Sequence, residues 1–207
     1  MHKAIIPSNT KILTFIKKKF MATLFVKNMV CNRCILVVEN ELQAMGIDDA
    51  KVSLGEITLD QELDATQLSN FTTKLEALGF ELIDNQKSRT IEQIKNLIIQ
   101  QIHHQKEPLQ LNLSDWLSQE LQQDYNSLSH LFSEIEGTTI EKYYIAQRIE
   151  KVKELLVYDE LTLSEIADQL NYSSVSYLSN QFKKITGLTP SHFKQIGKNK
   201  RTPLDQV

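Results

Sequence analysis

Residues 163–194 read LSEIADQLNYSSVSYLSNQFKKITGLTPSHFK. Thr162-x-x-Glu165 just ahead of Ile166 is a capping box, and the helix it opens carries Ile166, Ala167 and Leu170. Asn171-Tyr172-Ser173 reads as a polar turn. Ser173 or Ser174 caps a second helix, Leu178, Phe182 and Ile185 recur at the spacing of an inward face, and Gly187 stops it. Fifty residues upstream the chain repeats itself. Leu113, Ser114, Gln119, Leu128, Ser129, Phe132, Ile135, Gly137 and Thr139 match Leu163, Ser164, Gln169, Leu178, Ser179, Phe182, Ile185, Gly187 and Thr189 in order. Asp115 pairs with Glu165, Trp116 with Ile166 and Tyr143 with Phe193. Self-similarity at a fixed offset marks a duplicated structural unit. In the upstream copy Ser114 opens a helix bearing Trp116, Leu117 and Leu121, and Asp124 caps a second helix with Leu128, Leu131, Phe132 and Ile135 inside.

Two helices joined by a tight turn make a helix-turn-helix. Between the copies Ile140, Tyr144, Ile149, Val152 and Leu156 mark a long helix of about 18 residues, ~27 Å. That length places the two second helices roughly one DNA turn apart, ~34 Å. Arg148-Ile149-x-x-Val152-x-x-Leu155-Leu156, Leu163-Ser164-Glu165-Ile166-Ala167, Leu178 through Lys184, and Gly187-Leu188-Thr189-Pro190-Ser191-x-Phe193-Lys194 resemble the C-terminal DNA-binding domain of AraC-type transcription regulators. The resemblance implies that the exposed faces of both second helices read DNA. Carried over position by position, the reading residues are Asn126, Ser129 and His130 in the first copy and Val175, Ser176, Ser179 and Asn180 in the second. Asn bonds bidentately to adenine, Ser to several base edges, and Val touches a thymine methyl. Lys183, Lys184 and Lys194 fall where phosphate contacts are implied. The sequence departs from the family twice. Asn171 replaces the usual turn glycine, and Ser133-Glu134-Ile135-Glu136 replaces a basic stretch, so the second copy is expected to supply more of the affinity.

Charge supports that asymmetry. The chain of 207 residues has 23 basic and 26 acidic side chains. Residues 171–201 nevertheless hold Lys183, Lys184, Lys194, Lys198, Lys200 and Arg201 and no acid, while residues 22–87 hold five basic and eleven acidic residues. A positive block beside an acidic remainder attracts a polyanion. The competing reading of the block is a solvated Lys-rich tail.

Ala22 to Met29 suits a strand, and Cys31 to Ala44 carries Ile35, Val38 and Leu42 at helical spacing until Gly46. Ala50–Leu54 and Glu56–Leu59 read as short strands meeting at Gly55. Asp64 or Thr66 caps a helix with Leu68, Phe71, Leu75 and Leu78, Gly79 ends it, and Phe80–Ile83 is a last strand. The order βαββαβ in about 65 residues is the ferredoxin-like pattern. Both cysteines lie in Met29-x-Cys31-x-x-Cys34, between the first strand and the first helix. With Gly79-Phe80, this segment resembles the heavy-metal-associated domain of copper chaperones and metal-transporting ATPases. The resemblance implies a soft ion, chiefly Cu(I), held by Cys31 and Cys34, with Met29 packed beneath the loop. The chemistry agrees. Thiolates select Cu(I) or Zn, a helix start favours the thiolate, and two thiolates suit a two-coordinate ion better than Zn, which usually takes four ligands. Asn28 stands where the family commonly has Gly. Two other readings stay open: a fold kept for docking or dimerisation, and thiol redox sensing.

Ile91, Ile94, Leu97, Ile98 and Ile102 trace a helical stripe in the connector, which ends before Glu107-Pro108. This face must cover one of the domains or a second copy of the chain. His103-His104 reads as a pair of surface histidines, since neighbours on a helix diverge by about 100° and clasp one ion poorly. The first 21 residues carry five lysines and no acid, and Ile12–Ile16 is too short for a secretory core. Either they are a basic arm or translation starts at Met21. No apolar run approaches ~18 residues, two cysteines make no disulfide framework, and no Gly-rich phosphate loop or catalytic triad spacing appears. A methyl-acceptor repair activity joined to an AraC-type reader is disfavoured, because the cysteine loop does not resemble theirs.

The expected protein is α+β: a basic extension at 1–21, a ferredoxin-like βαββαβ domain at 22–86, a connector at 87–112, an all-α double helix-turn-helix domain at 113–197 and a tail at 198–207. The reading is a cytoplasmic, bacterial-type DNA-binding regulator that responds to Cu(I), or Zn, at Cys31 and Cys34. Its expected partners are double-stranded DNA, a metal ion or metallochaperone, and a second copy in a homodimer, with no membrane and no enzymatic activity. The alternatives are a regulator whose N-terminal domain only docks or dimerises, and a metal carrier with vestigial DNA binding.

Overall fold

The computed structural model describes residues 22–83, 85–105, 107–196 and 204. The N-terminal extension and the charged residues Lys198, Lys200 and Arg201 lie outside the described residues.

The first unit runs β1 (Ala22–Lys27), α1 (Asn32–Ala44), β2 (Lys51–Ser53), β3 (Glu56–Leu59), α2 (Ala65–Ala77) and β4 (Glu81–Ile83). The strands form one antiparallel sheet in the order β2-β3-β1-β4, with Leu24 opposite Ile57 and Phe25 opposite Ile83. Alternation along the strands sends Val26, Ile57 and Leu59 to one face, where Val38 and Leu42 of α1 and Phe71 and Leu75 of α2 complete a core. Asp64 closes a capping box with Gln67 at the start of α2. Leu68 is not inward as its spacing implied; it sits exposed at the rim of α2.

Connector helix α3 (Gln86–Ile99) is covered on two sides. Its stripe of Ile91, Ile94 and Ile98, continued by Ile102, joins Leu117, Leu128, Phe132, Ile140 and Tyr143 in a second core. On its other side the Arg89 guanidinium lies 4.9 Å from the Phe25 ring centroid, and Asn96 donates to the Leu54 carbonyl at 3.4 Å. The face expected to cover a domain or a second copy is therefore used within the chain. The helix does not stay regular to its end. Gln100–His104 form a π-helical turn, closed by the Gln105 N–H on the Gln100 carbonyl at 3.0 Å. Such turns are uncommon and cluster at functional sites.

Gly55 sits where sheet and connector meet. Its φ is +78°, and a Cβ there would lie 2.0 Å from the Asn96 side-chain nitrogen. Gly55→Ala is expected to lose about 2 kcal/mol, combining left-handed backbone strain with displacement of Asn96. Urea denaturation checks this, and a change below about 0.5 kcal/mol, the range of a neutral surface substitution, would show that the turn relaxes freely.

The second unit comprises α4 (Leu113–Leu121), α5 (Tyr125–Glu136), α6 (Ile140–Tyr158), α7 (Leu163–Gln169), α8 (Val175–Thr186) and α9 (Pro190–Ile196). The sequence repeat is a structural one. α4 and α7, α5 and α8, and α6 and α9 each begin fifty residues apart, and α5 and α8 both end in a left-handed glycine, Gly137 and Gly187. The caps are Asn112 rather than Ser114 for α4, Asp124 for α5 and Ser174 for α8. Ile135 and Ile185 are 44% and 51% exposed instead of packed inward. Each lies in the last turn of its helix, past the neighbours that cover Leu128 and Phe132, or Leu178 and Phe182. α6 has 19 residues and serves both units. Its first half enters the second core through Ile140 and Tyr143; its second half builds a third core from Ile149, Val152 and Leu156 with Ile166, Ala167, Tyr172, Leu178, Phe182 and Phe193. No described helix is long and apolar enough to cross a membrane.

Candidate nucleic-acid interface and cysteine loop

α8 buries Leu178 and Phe182, and this sets what its other side presents. Val175, Ser176 and Asn180 are exposed and Ser179 is half-buried, so four of the expected reading residues share the outward face. Lys183 and Lys184 follow on the last turn, both exposed. α5 repeats the arrangement: Leu128 and Phe132 are buried, Asn126 and His130 exposed, and Ser129 half-buried. Asn126, Ser129, His130, Ser133 and Glu134 line one shallow open groove.

The electrostatics of the two helices differ. α8 has no acid and ends in two lysines, whereas α5 carries Glu134 and Glu136. The sequence could not show that the connector answers these acids. Lys95 pairs with Glu136 at 2.8 Å and Lys87 with Glu134 at 3.8 Å. The Lys87 pair is exposed and weak, ~0–1 kcal/mol. Glu134 also lies 3.9 Å from His130, so a negative charge stays beside that reading face. Lys194, expected on phosphate, forms an ion pair with Asp159, so it is engaged on its own surface.

Arg148 was visible in the motif, but its role was not. It lies on α6, its guanidinium 3.7 Å from the Tyr172 ring centroid and 5.5 Å from that of Tyr144, and it donates to the Leu170 carbonyl. Tyr172 in turn donates to Gln181 of α8 at 2.8 Å, and burial pushes its phenol up to about 12. Asn171 between them holds φ 53°, the left-handed conformation that makes glycine usual here and asparagine tolerable. One arginine thus ties the turn of the second unit to the long helix.

In the first unit Cys31 is the N-cap of α1, and its Sγ lies 3.6 Å from that of Cys34. Both are free and half-buried; Met29 is buried in the first core, against which Cys34 packs. Asn28 adopts φ 70° and donates to the Gly79 carbonyl at 3.0 Å, which explains how asparagine fills a position suited to glycine. Burial opposes ionisation of Cys31, but hydrogen bonds from the Cys34 and Arg33 backbone, the Cys34 thiol and the Arg33 charge outweigh it and lower its pKa. Cys34 goes the other way. Burial, then the hydrogen bond and charge of Cys31, raise its pKa, so the expected thiolate preference holds for one sulfur and not for both. Two sulfurs each about 2.3 Å from an ion span at most about 4.6 Å, so the pair admits one ion between them. Among the described residues no cluster of three or more His, Cys, Asp and Glu could complete a tetrahedral set.

The histidines of the π-helical turn are not both surface groups. His103 is half-buried, with Nε2 3.0 Å from Gln147 Oε1; His104 is exposed, with Nε2 2.9 Å from the Val30 carbonyl. Burial drives the His103 pKa from 6.5 down to about 4, against a smaller upward effect of the Gln147 bond. Its Nδ1 is buried without a partner, so a second proton would be stranded there. Between these two values the unfolded chain binds more protons than the folded one. Stability is therefore complete above about pH 6.5 and declines as pH falls toward 4, by up to about 3 kcal/mol. His103→Gln is expected to remove most of that slope in urea denaturation at pH 4.5 and 7, and an unchanged slope would place the titration elsewhere.

A family model described as a helix-turn-helix domain matches residues 117–196. The chain is 30% identical over 117 residues to the uncharacterized HTH-type transcriptional regulator YtdP of Bacillus subtilis, covering 55% of this chain and 15% of that protein. It is 31% identical over 71 residues to the xylose operon regulatory protein of Escherichia coli K12, covering 34% of this chain and 18% of that one. Among solved structures, the C-terminal domain of AraT, a response regulator from Geobacillus stearothermophilus, aligns with a TM-score of 0.47 and 24% identity over 57% of this chain and 94% of that one. The chain thus spans less than a fifth of the length of these two curated relatives. The match to the family model runs from within α4 to the end of α9, and this C-terminal part of the chain is accordingly a helix-turn-helix domain.

Proposed function

We propose that the protein is an AraC-type transcription regulator that reads double-stranded DNA with α5 and α8, and that its ferredoxin-like, heavy-metal-associated-like domain responds to a soft metal ion, chiefly Cu(I), at Cys31 and Cys34. One observation carries the first half of this reading. Two 12-residue helices at equivalent places in the repeat present Asn and Ser outward from the two ends of one long helix. Bidentate amides and hydroxyls are what base edges in a major groove require. The paired thiols, 3.6 Å apart at the start of α1, support the second half. Cys31 and Cys34 would hold the ion, which would supply a soft centre for two thiolates, and each thiol would give up its proton to solvent on ligating.

The test uses a duplex selected from a random pool by the full chain. Lys183→Ala should weaken binding to all duplexes and flatten the salt dependence by about one unit of slope. Asn180→Ala should instead lose discrimination at one or two base pairs, by ~1–3 kcal/mol each. Asn126→Ala should cost less than Asn180→Ala, given Glu134 beside the first reading face. The reverse order would invert the ranking, and no selected duplex at all would refute the DNA-reading function.

A further inference from the structure

We propose that His104 is the positioning residue through which the state of the cysteine loop reaches the DNA-reading unit, with His103 as its anchor on α6; this rests on the reading of Cys31 and Cys34 as a Cu(I) site. Val30 immediately precedes Cys31, and its carbonyl accepts from His104 Nε2 at 2.9 Å across 74 residues of chain. One residue earlier, His103 Nε2 donates to Gln147 Oε1 at 3.0 Å. Gln147 is fully buried in the middle of α6, and its amide donates to the Tyr143 hydroxyl at 3.0 Å and to the Leu204 carbonyl at 3.2 Å. Two hydrogen bonds, joined by the His103–His104 peptide, thus link the cysteine loop to the centre of the helix that joins the two reading units.

Both histidines lie on the π-helical turn. Adjacent side chains on a helix point in different directions, so one histidine reaches forward to the loop while its neighbour reaches back to α6. The two ends of this link are also unlike. Gln147 and Tyr143 are buried, whereas Val30 lies in the loop directly before Cys31. Ligation of Cys31 and Cys34 would shift the backbone of the loop that begins at Val30, and the His104 bond would then differ between the free and loaded loop. That difference is the differential contact a ligand needs in order to shift an equilibrium elsewhere.

His104 is exposed, so its replacement leaves the cores untouched. The experiment uses the full chain, free and loaded anaerobically with Cu(I) alone, and three readouts. They are Cu(I) stoichiometry by competition with a chromophoric chelator, affinity for the selected duplex, and amide hydrogen exchange across residues 140–158 without DNA. Wild type is expected to take up Cu(I), change duplex affinity by about 5-fold or more, and alter exchange in α6. His104→Ala should take up Cu(I) and bind the duplex like free wild type, with a loaded-to-free ratio near one and no change in α6. His104→Gln keeps a donor and should recover part of the ratio. A wild-type ratio in His104→Ala, or a Gln variant as uncoupled as Ala, overturns the proposal. Cu(I) uptake by wild type with no change in affinity overturns the coupling and leaves the metal reading standing. No Cu(I) uptake by wild type overturns both.

Discussion

Arg148→Ala is expected to destabilise the protein by about 3 kcal/mol and to abolish most sequence-specific DNA binding. The guanidinium packs on Tyr172 and donates to the Leu170 carbonyl, bracketing the turn that sets α7 against α8. A desolvated cation–π contact is worth up to about 2 kcal/mol, and a hydrogen bond from a charged donor about 1.5–3 kcal/mol. These contributions overlap, and the partner-less Arg148 Nε offsets part of them, which keeps the sum near the lower value. Lysine should not rescue the loss, because an ammonium cannot stack flat on a ring while bonding a carbonyl. Denaturant unfolding and duplex titration of the Ala and Lys variants measure both effects. A destabilisation below about 0.5 kcal/mol, typical of a surface substitution, would reduce Arg148 to a surface residue.

Wild-type protein, reduced and anaerobic, should bind one Cu(I) per chain, and Cys34→Ser should bind none. The two thiols face each other across 3.6 Å, and losing one leaves a single soft ligand with no third group at hand among the described residues. Zn should bind more weakly for the same reason, unless two chains pool four thiolates and give one ion per dimer. Competition with a chromophoric chelator decides it. Identical titration curves for wild type and Cys34→Ser would identify the loop as part of a docking module.

The C-terminal architecture was legible because it is local. Caps, glycine stops and a repeat place α5 and α8 without any long-range knowledge, and Asn126, Asn180 and Ser176, carried over from the family resemblance, lie exposed on helices that bury Leu128, Phe132, Leu178 and Phe182. What escaped the sequence depends on residues distant along the chain. The pairing of Lys87 and Lys95 with Glu134 and Glu136 joins separate helices, and His104 meets Val30 across the whole first unit. The π-helical turn was hidden as well, since one extra residue in a turn leaves no mark in an isoleucine stripe that runs through it. Ile135 and Ile185 failed for another reason: periodicity tells which way a side chain points, but not whether anything lies there to meet it.

The doubly covered connector has a consequence for synthesis on the ribosome. Its isoleucine stripe begins at Ile91, and the side chains that cover it extend to Tyr143, about fifty residues later. At about 5–20 residues per second, the stripe emerges several seconds before its cover is complete. During that interval the finished sheet unit carries an adhesive helix, protected only on the side of Phe25 and Leu54. The nascent chain is then a substrate for holding chaperones, and a ribosome stalled between α4 and α6 would release a fragment prone to aggregate.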